Sequence, residues 1–245
     1  MGSIPLNRDG PRTSEDIDIF HSREEAALAD TALLAEAGFA IEWLRREPGI
    51  HTAAVRRRGE SVRLEWVRDS DFRFFPLVRD DLFGYTLHVA DIATNKAMAA
   101  AGRQAPRDVL DLLYIHERHL PIGAVVWAAV EKAPGFTPEG LIAEIRRNAR
   151  YRSDDYAALP MTPAIDAGRV AQRLRAVLDE AEAFVRAMPA GKEGLLFLQE
   201  GRPVQPDPEK LDSYIEHAGR LGGHWPSSSE IGSAMLHASD RDTTA

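Results

Sequence analysis

The sequence predicts an α+β protein, a small mixed β-sheet core followed by a helical domain. Three observations carry this. Apolar residues recur with a period of two through much of the first 90 residues and with helical spacing from Asp91 onward. A hairpin signal, Arg58-Gly59-Glu60, separates two of the alternating stretches. An early stretch, Thr13-Ser14-Glu15-Asp16-Ile17-Asp18-Ile19-Phe20, reads as a strand carrying two acids on one face. The expected organisation is a sheet core over 1–90, a helical domain over 91–190, and a small C-terminal appendage with a disordered tail over 191–245.

The elements follow in order. Asn7 to Pro11 reads as a turn or loop. Glu24 to Ala37 is a strong helix, with Ala26, Leu33, Leu34 and Ala37 as its apolar stripe, Ser22 as N-cap and Gly38 at C′. Strands follow at Phe39–Leu44, His51–Arg57 and Ser61–Val67. In the last, alternation sets Arg63, Glu65 and Val67 against Leu64 and Trp66. Asp91 is the expected N-cap of an Ala-rich helix ending at Gly102. A second helix runs from Pro106 to His116, with Leu110, Leu113 and Tyr114 toward the core and Arg107, Asp108 and Asp111 on a polar face. Further helices are expected at Ile122–Lys132, Pro138–Asn148, Ala164–Met188 and Pro208–Arg220, with a short strand at Gly194–Phe197. Gly222 onward reads as loose and Ser239–Ala245 as disordered.

Composition narrows the function classes. With 245 residues and no cysteine, the chain has ample core and neither disulfides nor thiolate metal sites. No apolar run reaches membrane-spanning length and no signal peptide stands at the start, so a cytoplasmic location is expected. The net charge of −8 argues against wholesale coating of nucleic acid. Local basic patches remain at Arg56-Arg57-Arg58 and at Arg146-Arg147 with Arg150 and Arg152.

The chemistry starts from Asp16 and Asp18. Two carboxylates side by side on a strand repel each other, and a hard divalent cation such as Mg²⁺ relieves that repulsion through oxygen ligands. If the strand holding Glu65 lies beside them, Glu65 is a third carboxylate; if it does not, Glu65 is a surface residue paired with Arg63. Phosphoryl or nucleotidyl transfer needs neutralised phosphate charge and in-line positioning. Lys96 as a point charge, with Arg103 or Arg107 as forks, suits the phosphates, and the Gly2-Ser3 turn suits a polyphosphate tail. A hydrolytic metalloenzyme fits less well. The eight histidines form no H-x-x-x-H pair, and His116 and His119 read as an exposed helix end.

Met1-Gly2-Ser3 followed by Asp16-Ile17-Asp18 resembles the hydrophobic-G-[GS] … D-h-D signature of polymerase-β-type nucleotidyltransferases. Arg12 to Phe20, Asp91 to Ala99, Arg103 and then Arg107-Asp108-Val109-Leu110-Asp111-Leu112 are similar to the AbiEii branch, which includes toxins of bacterial toxin–antitoxin and phage-defence systems. The likeness covers roughly the first half of the chain. It implies a nucleotidyltransferase core in which Asp16 and Asp18 bind catalytic Mg²⁺. Glu65 is the expected third acid, with Asp69 and Asp71 close by. Gly2 and Ser3 would hold the triphosphate of an NTP, with Lys96, Arg103 and Arg107 contacting the nucleotide. Asp108 or Asp111 would be the acid of the last motif, leaving Asp16, Asp18, Lys96 and Asp108 as the catalytic set. An RNA acceptor such as the 3′ end of tRNA and a cognate antitoxin are the implied partners, with the arginine patches as RNA contacts. The family carries secondary structure ahead of its Gly-Ser turn, whereas here the chain starts inside that motif. This departure favours a second reading, a catalytically degenerate module that binds nucleotide or a partner protein.

Overall fold

The computed structural model describes residues 16–21, 25–68, 71–81, 83–159 and 165–236. Strand β1 (Asp16–His21) leads into helix α1 (Ala26–Glu36), and strands β2 (Ala40–Glu47), β3 (Ile50–Arg57) and β4 (Glu60–Arg68) follow as a meander. The order β1-β4-β3-β2 makes β1 an edge strand of the described sheet, parallel to β4, while β2, β3 and β4 pair antiparallel. The sheet is therefore mixed. The β3–β4 turn puts Arg58 at φ 53° and Gly59 at φ 87°, the left-handed pair that a two-residue hairpin requires.

One face of this sheet is apolar. Ala53, Val55, Leu64 and Trp66 are buried there, with Ile17 and Ile19 packed alongside and Ala27 of α1 covering them. The Trp66 indole N–H donates to Asp30 of α1 at 2.9 Å, which satisfies the polar end of a fully buried ring. Helix α1 turns a different side inward from the one its sequence suggests. Ala27 and Thr31 are buried and Leu33 is 64% exposed, because the helix lies on the sheet along its Ala27–Thr31–Leu34 side. Gly38 takes the C′ position at φ 83° as expected, while Ser22 falls outside the described residues.

Beyond the sheet come the small hairpin β5 (Val78–Asp80) and β6 (Gly84–Thr86), then α2 (Val89–Gly102), α3 (Pro106–Arg118), α4 (Ile122–Ala129) with a 3-10 turn Val130–Lys132, α5 (Pro138–Asn148), the short α6 (Ser153–Ala157) and the long α7 (Ala167–Ala187). Helix α7 buries Leu174, Val177, Leu178, Ala181, Phe184 and Val185, a helical stripe against α4 and α5. Helix α4 is buried throughout, in keeping with its all-apolar sequence. A three-stranded antiparallel sheet of β7 (Leu196–Gln199), β8 (Arg202–Val204) and β9 (Ile215–His217) shares this core, with Leu196, Phe197 and Leu198 buried in the same cluster as the helices.

Three sequence expectations change here. Asp91 is not the N-cap of α2. His88 caps it through Nδ1, accepting from Ala90 N–H at 3.2 Å. Asp91, fully buried two residues inside the helix, accepts from the Phe74 and Phe75 amides at 2.9 and 3.0 Å and pairs with Lys132 at 3.2 Å. The core face of α3 is Val109, Leu112, Leu113 and Ile115, with Leu110 and Tyr114 only half-buried. The region Pro208–Arg220 is not a helix. A 3-10 turn spans Pro208–Ser213, and the chain then extends as β9 because Leu196, Phe197 and Leu198 of β7 present an unpaired edge to it. Ala164 and Ser239–Ala245 lie outside the described residues. Among the described residues, no helix is long and apolar enough to cross a membrane.

Candidate functional site

The site lies on the polar face of the first sheet. Asp16 and Asp18 alternate with the core residues Ile17 and Ile19 along β1, and Arg63 and Glu65 alternate with Leu64 and Trp66 along β4. The parallel register pairs Asp16 with Arg63 and Asp18 with Glu65. Glu65 is therefore beside the aspartate pair, and its own partner is not Arg63. The guanidinium of Arg63 reaches Asp16 at 3.2 Å, while Glu65 accepts from the hydroxyl of Thr52, its neighbour on β3, at 3.1 Å. Thr52 and Arg63 are the contributors that sequence patterning missed. Their roles follow from strand order, which alternation alone does not specify.

Helices α2 and α3 supply the opposing charge. Arg107, in the first turn of α3, reaches Asp16 at 3.6 Å. Lys96 of α2 pairs with Asp111 at 2.8 Å and Asp108 at 3.5 Å, and Arg103 forks onto Asp108 at 2.7 and 3.0 Å. Asp108 is fully buried and Asp111 nearly so. They do not form the solvated polar face that the helix pattern suggests, because two cations are held against them. Buried carboxylates persist only when paired and hydrogen-bonded in this way.

Electrostatics single out Asp18. Burial pushes its proton affinity up, the Asp16 and Glu65 charges push it further, and Lys96 opposes them. The Arg103 guanidinium is held more firmly protonated chiefly by its hydrogen bonds to Asp108, with the Asp18 and Glu65 charges adding to the effect. These mutual influences show that the acids of β1 and β4 and the cations of α2 lie in one electrostatic neighbourhood.

The oxygen-only donor set of Asp16, Asp18 and Glu65 has the chemistry of a hard divalent cation site, and the surplus negative charge at Asp18 suits one. The three do not close into a ligand cage. Among the described residues, no group of three His, Asp or Glu side chains converges closely enough to hold a metal ion. Asp16 is turned toward Arg63 and Arg107, and Glu65 toward Thr52. Gly2, Ser3 and Asp69 lie outside the described residues, while Asp71 sits at a positive φ of 60° on the loop beyond β4. His116 is no exposed helix end. Its imidazole is largely buried, 3.8 Å from Glu180 and accepting from Ile122 N–H at 3.4 Å.

Three arginines of the two clusters are paired with acids. Arg56 pairs with Glu42 at 2.7 Å, Arg146 with Asp179 and Glu182 at 2.6 and 3.1 Å, and Arg147 with Glu144. The Arg146 pairs tie α5 to α7, while Arg147 is neutralised within α5 by Glu144.

No protein-family model matches the chain, and comparison with curated proteins and with solved structures finds no match.

Proposed function

We propose that the chain is a Mg²⁺-dependent nucleotidyltransferase of the AbiEii-like kind, moving a nucleoside monophosphate from an NTP to an acceptor hydroxyl. The observation that carries this reading is the Asp18–Glu65 register beside Asp16, with Arg107 reaching Asp16 and the charges of Lys96 and Arg103 acting on Asp18. Asp16, Asp18 and Glu65 would hold Mg²⁺, which supplies charge neutralisation for the transferring phosphate when bound. Lys96, Arg103 and Arg107 would take up the phosphate charge of the nucleotide, and the buried Asp108 and Asp111 keep Lys96 and Arg103 in place for it. In the transfer the acceptor oxygen bonds to the α-phosphorus, the bond from that phosphorus to the bridging oxygen breaks, and pyrophosphate leaves. The acceptor hydroxyl gives up its proton to a carboxylate of the site. An RNA end such as the tRNA 3′ terminus is the proposed acceptor, an antitoxin the proposed partner, and the cytoplasm the proposed compartment.

The test is transfer of radiolabel from each α-labelled NTP to total RNA. Label should appear for at least one NTP and be lost in Asp16→Ala and Asp18→Ala; retention in both variants removes the reading. One observation favours a second reading, a non-catalytic module: Asp16 and Glu65 already have a cationic and a hydroxyl partner, and the three acids form no metal cage. That reading expects nucleotide binding without product at any Mg²⁺ concentration.

A further inference from the structure

A pocket of 830 Å³ lies between β1, the β5–β6 hairpin and the loop 222–226. Its Ile17 and Ile19 wall belongs to the apolar face of β1, opposite Asp16 and Asp18, so an occupant would sit apart from those acids. Phe75, Phe83, Tyr85 and Trp225 supply aromatic walls. Tyr85 is 63% exposed and Trp225 76% exposed, so most of each of these two rings is open to a ligand. The volume falls within the range of pockets that enclose a small organic molecule.

The polar groups on the walls narrow the ligand. Arg73 donates to the Phe72 carbonyl at 2.8 Å, and His224 meets the Ala218 carbonyl at 3.1 Å and Glu230 at 3.4 Å, so both are engaged within the chain. Asp71 also lines the pocket, from the loop beyond β4 at φ 60°. It has no hydrogen-bond or ion-pair partner among the described residues, Arg73 included. A carboxylate without a cation, beside rings whose faces carry negative potential, attracts positive charge. Mostly apolar walls offer a cation little to replace its water, which favours a charge spread over methyl groups above a strongly hydrated one. We propose that this pocket binds an organic cation, a methylated ammonium on an apolar body, with the charge toward Asp71 and the body against Ile17, Ile19, Tyr85 and Trp225. The inference is independent of the transferase reading, whose acids Asp16 and Asp18 lie on the other face of β1.

The test titrates the full chain, by isothermal calorimetry, with probes that share a benzyl group and differ in charge. These are benzyltrimethylammonium, benzyl alcohol and phenylacetate. The cation should bind about tenfold more tightly than the neutral and anionic probes. Asp71→Asn keeps the side-chain shape and tolerates the left-handed backbone, and should weaken the cation about tenfold while leaving benzyl alcohol unchanged. Tyr85→Ala and Trp225→Ala should each weaken the cation about fivefold. Both rings are exposed, and an unchanged melting temperature would show these variants folded. Failure of the cation to bind overturns the proposal, as does binding of benzyl alcohol or phenylacetate as tight as that of the cation. Unchanged affinity for the cation in Asp71→Asn overturns it as well. The same affinity for the cation in wild type and both ring variants would place the cation elsewhere and overturn it too.

Discussion

Asp18 and Glu65 stand directly opposite each other in the parallel β1–β4 register, and the Thr52 hydroxyl on the next strand holds Glu65 from the far side at 3.1 Å. Two carboxylates and a hydroxyl thus form one row across three strands. Burial and the neighbouring acids make the Asp18 charge costly, while Lys96 and Arg103 offset part of that cost.

Replacing Asp18 by Asn should abolish transfer and raise the melting temperature at pH 7. The sign follows from its raised proton affinity. The folded chain binds this proton more tightly than the unfolded chain, so the charge destabilises at neutral pH. The penalty fades as pH falls through the folded value toward the ordinary 3.8, and the variant's advantage should fade with it. Melting curves at pH 7 and pH 4 read both effects. A lower melting temperature for the variant at pH 7 would contradict the assignment.

Thr52 should position Glu65. Thr52→Val removes the donor to Glu65 at nearly constant volume and should cost about 1 kcal/mol of stability. It should also weaken Mn²⁺ binding, measured by electron paramagnetic resonance as free ion. Thr52→Ser keeps the hydroxyl and should restore Mn²⁺ binding. Identical Mn²⁺ affinity in Thr52→Val and wild type would leave Thr52 a packing residue only.

Lys96→Met should be strongly destabilising, by about 3–5 kcal/mol, since it strips a cation from two buried carboxylates. Adding Asp111→Asn should recover a large part of the loss, because the uncompensated charge is then removed. Urea unfolding of both variants gives the comparison. A single variant with wild-type stability would show that Arg103 alone suffices for Asp108.

His88 should make the protein acid-sensitive below its own ordinary titration range. Burial holds its pKa down to about 4 against the ordinary 6.5, with the Asp91 charge opposing that fall. The unfolded chain therefore binds this proton first, and stability contributed above pH 6.5 is lost as pH falls toward 4. The loss is about 3 kcal/mol across that window, from ~1.4 kcal/mol per pH unit. His88→Asn, which can still cap α2, should flatten the dependence when unfolding free energy is measured from pH 7 to 4.

Local pattern determined a good deal of this protein. The α+β class, the three strands of the meander, the Arg58-Gly59 turn and the helix Pro138–Asn148 all follow from alternation, helical spacing and turn chemistry within a few residues. The same alternation put Asp16 with Asp18 on one strand face, and Glu65 opposite Leu64 and Trp66. What pattern did not carry was anything requiring two distant segments. That β1 runs parallel to β4, placing Glu65 beside Asp18 and giving Arg63 to Asp16, depends on pairing segments far apart in sequence, Asp16 and Arg63 being 47 residues apart. Asp91 carries the sequence signature of a cap and is instead drawn inward by two loop amides and Lys132. Asp108 and Asp111 look like surface acids and are buried because Lys96 and Arg103 neutralise them. Pro208–Arg220 lost its helix to the open edge of β7. Hydrogen bonds and ion pairs between remote segments exist only in the folded chain, so the charges themselves were written in the sequence while their partners were chosen by the tertiary structure.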